Sequence, residues 1–131
     1  MDTAFAALSD SDKLRKWFGP AGFTVSSLNF KPHVGERYRI EMQPPDGEAF
    51  YIMGEFRDVD RPARLAYTFA YEEPDVDDVE TLVSLTLRDL AGSTEVVMTQ
   101  GPFKTEARRA LHRDGWLDSF DKLDQLVIAL T

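Results

Sequence analysis

The chain has 131 residues, 43% of them hydrophobic and 29% charged, with a formal net charge of −8 and no cysteine. That is the composition of one ordinary domain, long enough to bury roughly two thirds of its unfolded surface around a single core. The acid excess excludes the basic surfaces that hold phosphate backbones or anionic membranes, and the missing thiols exclude a disulfide framework, a thiol nucleophile and thiolate metal sites.

What basic residues there are alternate with acids, as in Asp12-Lys13-Leu14-Arg15-Lys16 and Asp121-Lys122-Leu123-Asp124, so neither nucleic acid nor membrane is expected as a partner. The first ten residues lack the basic and apolar segments of a signal peptide. No run approaches the roughly 20 apolar residues that cross a bilayer, and a cytoplasmic protein is the expectation.

Residues 3–18 read as helix, with Phe5, Leu8, Leu14 and Trp17 on one side. Ser9-Asp10-Ser11-Asp12 interrupts the pattern and predicts two short helices, with Ser9 or Ser11 as the cap of the second. Gly19-Pro20-Ala21-Gly22 stops the helix.

From Phe23 the period becomes two. Phe23, Val25 and Phe30 begin a strand pattern turned by His33-Val34-Gly35. In Arg37–Met42, Tyr38, Ile40 and Met42 share one face and Arg37, Arg39 and Glu41 the other. Pro44-Pro45-Asp46-Gly47 predicts a turn. On the return strand Phe50, Ile52, Gly54 and Phe56 fall in one phase, but Tyr51 and Met53 make the other phase apolar too, so the inward face stays open. Asp60-Arg61-Pro62-Ala63-Arg64 turns again, and Leu65, Tyr67, Phe69 and Tyr71 alternate. An acidic loop, Glu72 to Glu80, precedes the strand of Val83, Leu85 and Leu87. The Ala91-Gly92-Ser93 hairpin leads to Val96 and Met98. Short connections make an antiparallel meander the economical topology.

The final segment is helix. Trp116, Phe120, Leu123, Val127 and Leu130 form one apolar stripe, with Asp118, Ser119, Asp121, Lys122, Asp124 and Gln125 opposite. Such a helix must bury its stripe, and the sheet is the large partner available. Gly115 within it costs about 1 kcal/mol against Ala, which close backbone packing would explain. The whole is one α+β domain over residues 1–131.

This order of elements resembles the helix-grip fold of the START and Bet v 1-like (SRPBCC) superfamily. The strings FAALSDSDKLRKWFGP (5–20), VGERYRIEMQPPDG (34–47), GEFRDVDRPARLAYTF (54–69), STEVVMTQG (93–101) and LHRDGWLDSFDKLDQLV (111–127) resemble the family named for the activator of Hsp90 ATPase, in its stand-alone bacterial form. The resemblance implies a curved antiparallel sheet, two short N-terminal helices and a long C-terminal helix around a cavity. It also implies a strand before the first helix, pairing beside the last strand. This sequence begins almost directly at the helix, so Thr94 to Gln100 are expected to form an exposed edge, used for dimerisation or covered by another segment.

The candidate ligand-binding residues on the sheet are Tyr38, Ile40, Phe56, Tyr67, Phe69, Leu85 and Met98. Those on helices are Trp17, His112, Trp116 and Phe120. Of Trp17 and Phe18, one is expected in the core and the other at the cavity. The inward aromatics either line a pocket or fill the interior. His112, four residues before Trp116, either orients a ligand at the cavity mouth or is a helix histidine bonded to a carbonyl or to water.

Arg37 and Arg39 are expected to face solvent beside acids such as Glu55. The run Glu72, Glu73, Asp75, Asp77, Asp78 and Glu80 lacks the glycine and terminal glutamate spacing of a calcium loop and reads as a solvated, mobile segment. No metal or cofactor is implied, and no nucleophile elbow, triad or phosphate loop is present.

The leading expectation is therefore a non-enzymatic binder of a small apolar or amphipathic molecule between sheet and C-terminal helix. The alternatives are an interaction module like the Hsp90 co-chaperone, whose eukaryotic form carries a further N-terminal domain, and a cyclase- or hydrolase-like enzyme of the same superfamily. The enzyme reading requires His112 or an inward acid with a perturbed pKa inside a pocket.

Overall fold

The computed structural model describes residues 1–130, with side chains through Asp124. Gln125, Val127 and Leu130 of the expected helix faces lie outside the described side chains. The chain runs α1 (Asp2–Ser9), α2 (Ser11–Trp17), β1 (Thr24–Asn29), β2 (Arg37–Gln43), β3 (Phe50–Asp60), β4 (Arg64–Tyr71), β5 (Thr81–Asp89), β6 (Thr94–Gly101) and α3 (Glu106–Leu130). All six strands pair antiparallel with their sequence neighbours in one meander.

The break between α1 and α2 has a different cap from the one expected. Asp10 is the cap, its carboxylate accepting from the Asp12 N–H at 3.0 Å. Ser9 donates back to the Phe5 carbonyl, and Ser11 donates to the Phe30 carbonyl, which ties α2 to the end of β1. Both serines are thus occupied, leaving the aspartate to take the first turn.

Strand β3 resolves its own ambiguity. Ile52, Gly54 and Phe56 are buried, while Tyr51, Met53 and Glu55 are only partly covered. Between Met53 and Phe56 the ladder to β4 is interrupted, and the Glu55 N–H donates instead to the Thr68 hydroxyl at 2.8 Å.

Helix α3 joins the core through Trp116 and Leu123. The Trp116 indole N–H donates to the Gln100 side chain at 2.7 Å, and the Gln100 amide donates to Thr81 at 2.9 Å, which fastens α3 to β5 and β6.

The face opposite the stripe is not simply solvated. Lys122 Nζ donates to the carbonyls of Gly19 (3.0 Å), Pro20 (2.9 Å) and Phe23 (3.4 Å). The Ser119 hydroxyl accepts from the Gly19 N–H at 3.0 Å, and Asp118 accepts from Ala21. These side chains hold the stop after α2 against α3. Gly19 sits there at φ +105°, a backbone conformation that strains any residue with a Cβ, which would also press on the movable tip of Met42. Gly115 differs from expectation: a Cβ there would make ordinary contact with Pro20 Cγ at 3.5 Å, so close packing does not require it.

Strand β6 pairs only with β5 among the described residues, and β1 pairs only with β2. The β1 edge is six residues long and carries an irregularity at Val25/Ser27. The β6 edge is eight residues in unbroken register, with one charged side chain, Glu95.

Candidate functional site

The interior divides into a filled end and an open end. At the filled end Phe30, Tyr38, Phe56 and Tyr67 pack ring to ring, with centroids 4.9 to 5.9 Å apart. Helix α1 lies over this end, where the Arg61 guanidinium of the β3–β4 turn sits 5.2 Å from the Phe5 ring. The Tyr38 hydroxyl donates to the Thr68 carbonyl at 2.6 Å. The Tyr67 hydroxyl is buried without a partner among the described residues. Burial raises both phenols above their ordinary range.

At the open end, a cavity of about 580 Å³ lies between the facing ends of β2, β3 and β4, the acidic loop and α3. The registers Met42↔Phe50 and Ile52↔Tyr71 bring its sheet wall together. Phe69, Phe18, Phe23 and Trp116 complete the apolar surface, and Gly19, Pro20, Gly115 and Ser119 form the side where α3 meets the stop after α2.

Of the residues expected from sequence, Phe69, His112 and Trp116 line this cavity. Trp17 lies fully buried outside it, its indole N–H donating to the Ala7 carbonyl at 2.7 Å. Phe120 stacks on Trp17 and packs against Trp116. Tyr38, Ile40, Phe56, Tyr67 and Leu85 belong to the solid core, and Met98 packs partly buried against it. Trp17 belongs to the core alone, whereas Phe18 is buried with the core and also lines the cavity.

Met42, Phe50, Ile52 and Tyr71 were not among the expected lining residues. The period-two pattern identifies the inward face but not which end of each strand the N-terminal helices leave uncovered.

The charged rim departs from the sequence expectation. Arg39 is 55% exposed, yet its partner is Glu72, held through two bonds of 2.9 and 3.0 Å, and its guanidinium lies 3.8 Å over the Tyr51 ring. The acidic loop is fastened rather than free. Arg108 of α3 pairs with Asp75 (3.3 Å) and Asp78 (3.5 Å), Asp78 accepts from the Asp75 N–H, and Lys104 donates to the Val76 carbonyl.

His112 packs against Phe69 (5.5 Å), Tyr71 (5.9 Å) and Phe103 (4.9 Å). Burial lowers its pKa, with Asp78 opposing the shift and Arg108 reinforcing it. Burial likewise pushes the neighbouring Tyr71 phenol up to about 12.

An imidazole that binds its proton less readily in the native state than at the unperturbed value near 6.5 makes the unfolded chain the better proton acceptor below that pH. The stability that neutral His112 contributes is therefore present above about 6.5 and lost as pH falls below it. Denaturation midpoints followed from pH 8 to 5 should show a decline in the wild type that His112→Gln reduces. Parallel curves for the two proteins would contradict this assignment.

The sequence profile described as Activator of Hsp90 ATPase homolog 1-like protein matches residues 1–127. The chain belongs to this family. Solved structures with the same fold include the AHSA1 protein of Silicibacter pomeroyi, 21% identical with a TM-score of 0.87 over 99% of this chain and 91% of that one. Protein CV1439 of Chromobacterium violaceum is 22% identical, with a TM-score of 0.83 over 96% and 88%. A Rhodobacter sphaeroides protein is 27% identical, with a TM-score of 0.81 over 99% and 85%. No curated protein matches the chain. Among the described residues no helix is long and apolar enough to cross a membrane.

Proposed function

We propose that this AHSA1-like domain binds a small apolar or amphipathic molecule in the cavity at the open end of the sheet. The observation that carries the reading is the contrast between the two ends of one inward face. One end is packed ring against ring, and the other leaves about 580 Å³ with aromatic and aliphatic walls and a charged mouth. That volume falls in the range of small-molecule sites. Affinity comes from apolar area removed from water, at about 25 cal/mol/Å².

A neutral imidazole in the cavity is what supports an acid–base enzyme. However, no side chain among the described residues hydrogen-bonds His112 to orient it, so binding is the better-supported activity.

The test is calorimetric titration of 2-naphthylmethanol into the wild type and into Gly115→Leu, a substitution that favours helix while projecting a side chain beside Pro20. Saturable one-to-one binding, weakened about tenfold or more by the leucine, is expected. Equal binding to both proteins would place the ligand elsewhere.

The regular, nearly uncharged β6 edge supports a further proposal, that a second copy pairs with it. Two antiparallel β6 strands centred on Val97 would set Glu95 opposite Thr99, with no like charges facing. A dimer in sedimentation at high concentration, lost in Val97→Pro, is expected. A wild type that stays monomeric overturns it.

A further inference from the structure

The mouth of the cavity carries six charged side chains, Arg39, Glu72, Glu73, Asp75, Asp78 and Arg108. Both guanidiniums are already engaged, Arg39 by both oxygens of Glu72 and Arg108 by Asp75 and Asp78. Glu73 has no ion-pair partner among the described residues. Four carboxylates against two guanidiniums leave the mouth at a net charge of −2. His112 on the wall does not offset this near neutral pH, because burial disfavours its charged form.

Just inside the mouth the wall is aromatic: Phe18, Phe50, Phe69, Tyr71 and Trp116 all face the same space. Ring faces attract cations, most strongly where water is excluded.

We infer that the ligand of this cavity is an organic cation: an apolar, ring-sized body seated among the aromatic side chains, bearing an ammonium group held at the carboxylate rim. This rests on the reading that the cavity is a binding site and names the chemical class it selects. An anionic ligand would have to draw a guanidinium away from a carboxylate that already satisfies it, and it would meet the uncompensated charge of Glu73. A neutral ligand uses the walls alone. A cation uses walls and rim together, and its approach is favoured by the long-range field of a chain at −8.

The experiment compares three probes of nearly equal shape by calorimetry: 2-naphthylmethylamine, 2-naphthylmethanol and 2-naphthoate. Each is titrated at low and at high salt. The amine is expected to bind one-to-one and about tenfold tighter than the alcohol at low salt, the carboxylate weakest, and the gap should narrow as salt screens the rim. Glu73→Gln should reduce amine affinity several-fold and leave the alcohol unchanged. Asp121→Asn, the same charge change on the exposed side of α3, should alter neither.

Alcohol or carboxylate binding as tightly as the amine overturns the cationic class while leaving the binding site standing. Equal losses from Glu73→Gln and Asp121→Asn would reduce the effect to net charge and overturn it as well. Failure of all three probes overturns both the class and the site.

Discussion

Replacing Gly54 by alanine is expected to destabilise the protein by about 3 kcal/mol or more, the upper range for forcing atoms into a packed interior. A Cβ at this position would lie 1.9 Å from the Thr68 carbonyl oxygen, 2.7 Å from its carbon and 2.6 Å from the Tyr38 ring. The first two are backbone atoms of the neighbouring strand, which cannot swing aside as a side-chain tip can. The same carbonyl accepts the Tyr38 hydroxyl at 2.6 Å, and the Thr68 hydroxyl accepts the Glu55 N–H at 2.8 Å.

Moving β4 away to admit a methyl group would therefore strain both hydrogen bonds, the first buried and the second partly buried. Urea unfolding of Gly54→Ala against the wild type measures the cost. A change below about 1 kcal/mol would mean that β3 and β4 can part at Gly54 without loss, contrary to the packing described.

Trp17→Ala is the second large effect, expected at about 3 to 5 kcal/mol, the usual cost of truncating a buried aromatic side chain. Trp17 is inaccessible to solvent and joins all three helices. Its indole N–H satisfies the Ala7 carbonyl of α1, and its ring contacts Phe18, Trp116 and Phe120.

Trp17→Phe separates the contributions. It retains much of the ring contact but removes the donor, leaving the Ala7 carbonyl without that bond at a cost of about 1 to 3 kcal/mol. Thermal unfolding should rank wild type above Trp17→Phe and Trp17→Phe above Trp17→Ala. A phenylalanine variant as unstable as alanine would assign the stabilisation to the hydrogen bond alone, against the packing account.

The architecture was readable because each element repeats its own period. Tyr38, Ile40 and Met42 mark the inward face of β2, and Trp116 and Leu123 the inward face of α3, and both sets are buried together. What periodicity could not supply was position along the strands. Tyr67 and Tyr71 lie on β4 in the same phase, yet the first is packed among Phe30, Tyr38 and Phe56, while the second lines the cavity. The difference is set by where the N-terminal helices come to rest. That follows from contacts between residues distant in sequence, such as Lys122 with Gly19, Pro20 and Phe23.

The rim was hidden for a related reason. Arg39 and Glu72 are 33 residues apart, as are Arg108 and Asp75. Alternation placed Arg37 and Arg39 in solvent beside acids such as Glu55, and Arg39 is exposed, but the acid it pairs with is Glu72. The acidic run, read from its charge as a mobile loop, is tied down by Arg108 and Lys104. The place of His112 followed from its spacing to Trp116, one turn along the apolar stripe, while that spacing left its role open.

The most direct test of the proposed binding site is a protein-observed NMR titration with 2-naphthylmethanol, whose neutral head makes the result independent of the charge at the rim. Shift changes should concentrate at Phe50, Phe69, Tyr71 and Trp116, leaving Phe30, Phe56 and Tyr67 in place. Changes centred on those last three rings, or none at either end of the sheet, would contradict a cavity at the open end as the seat of function.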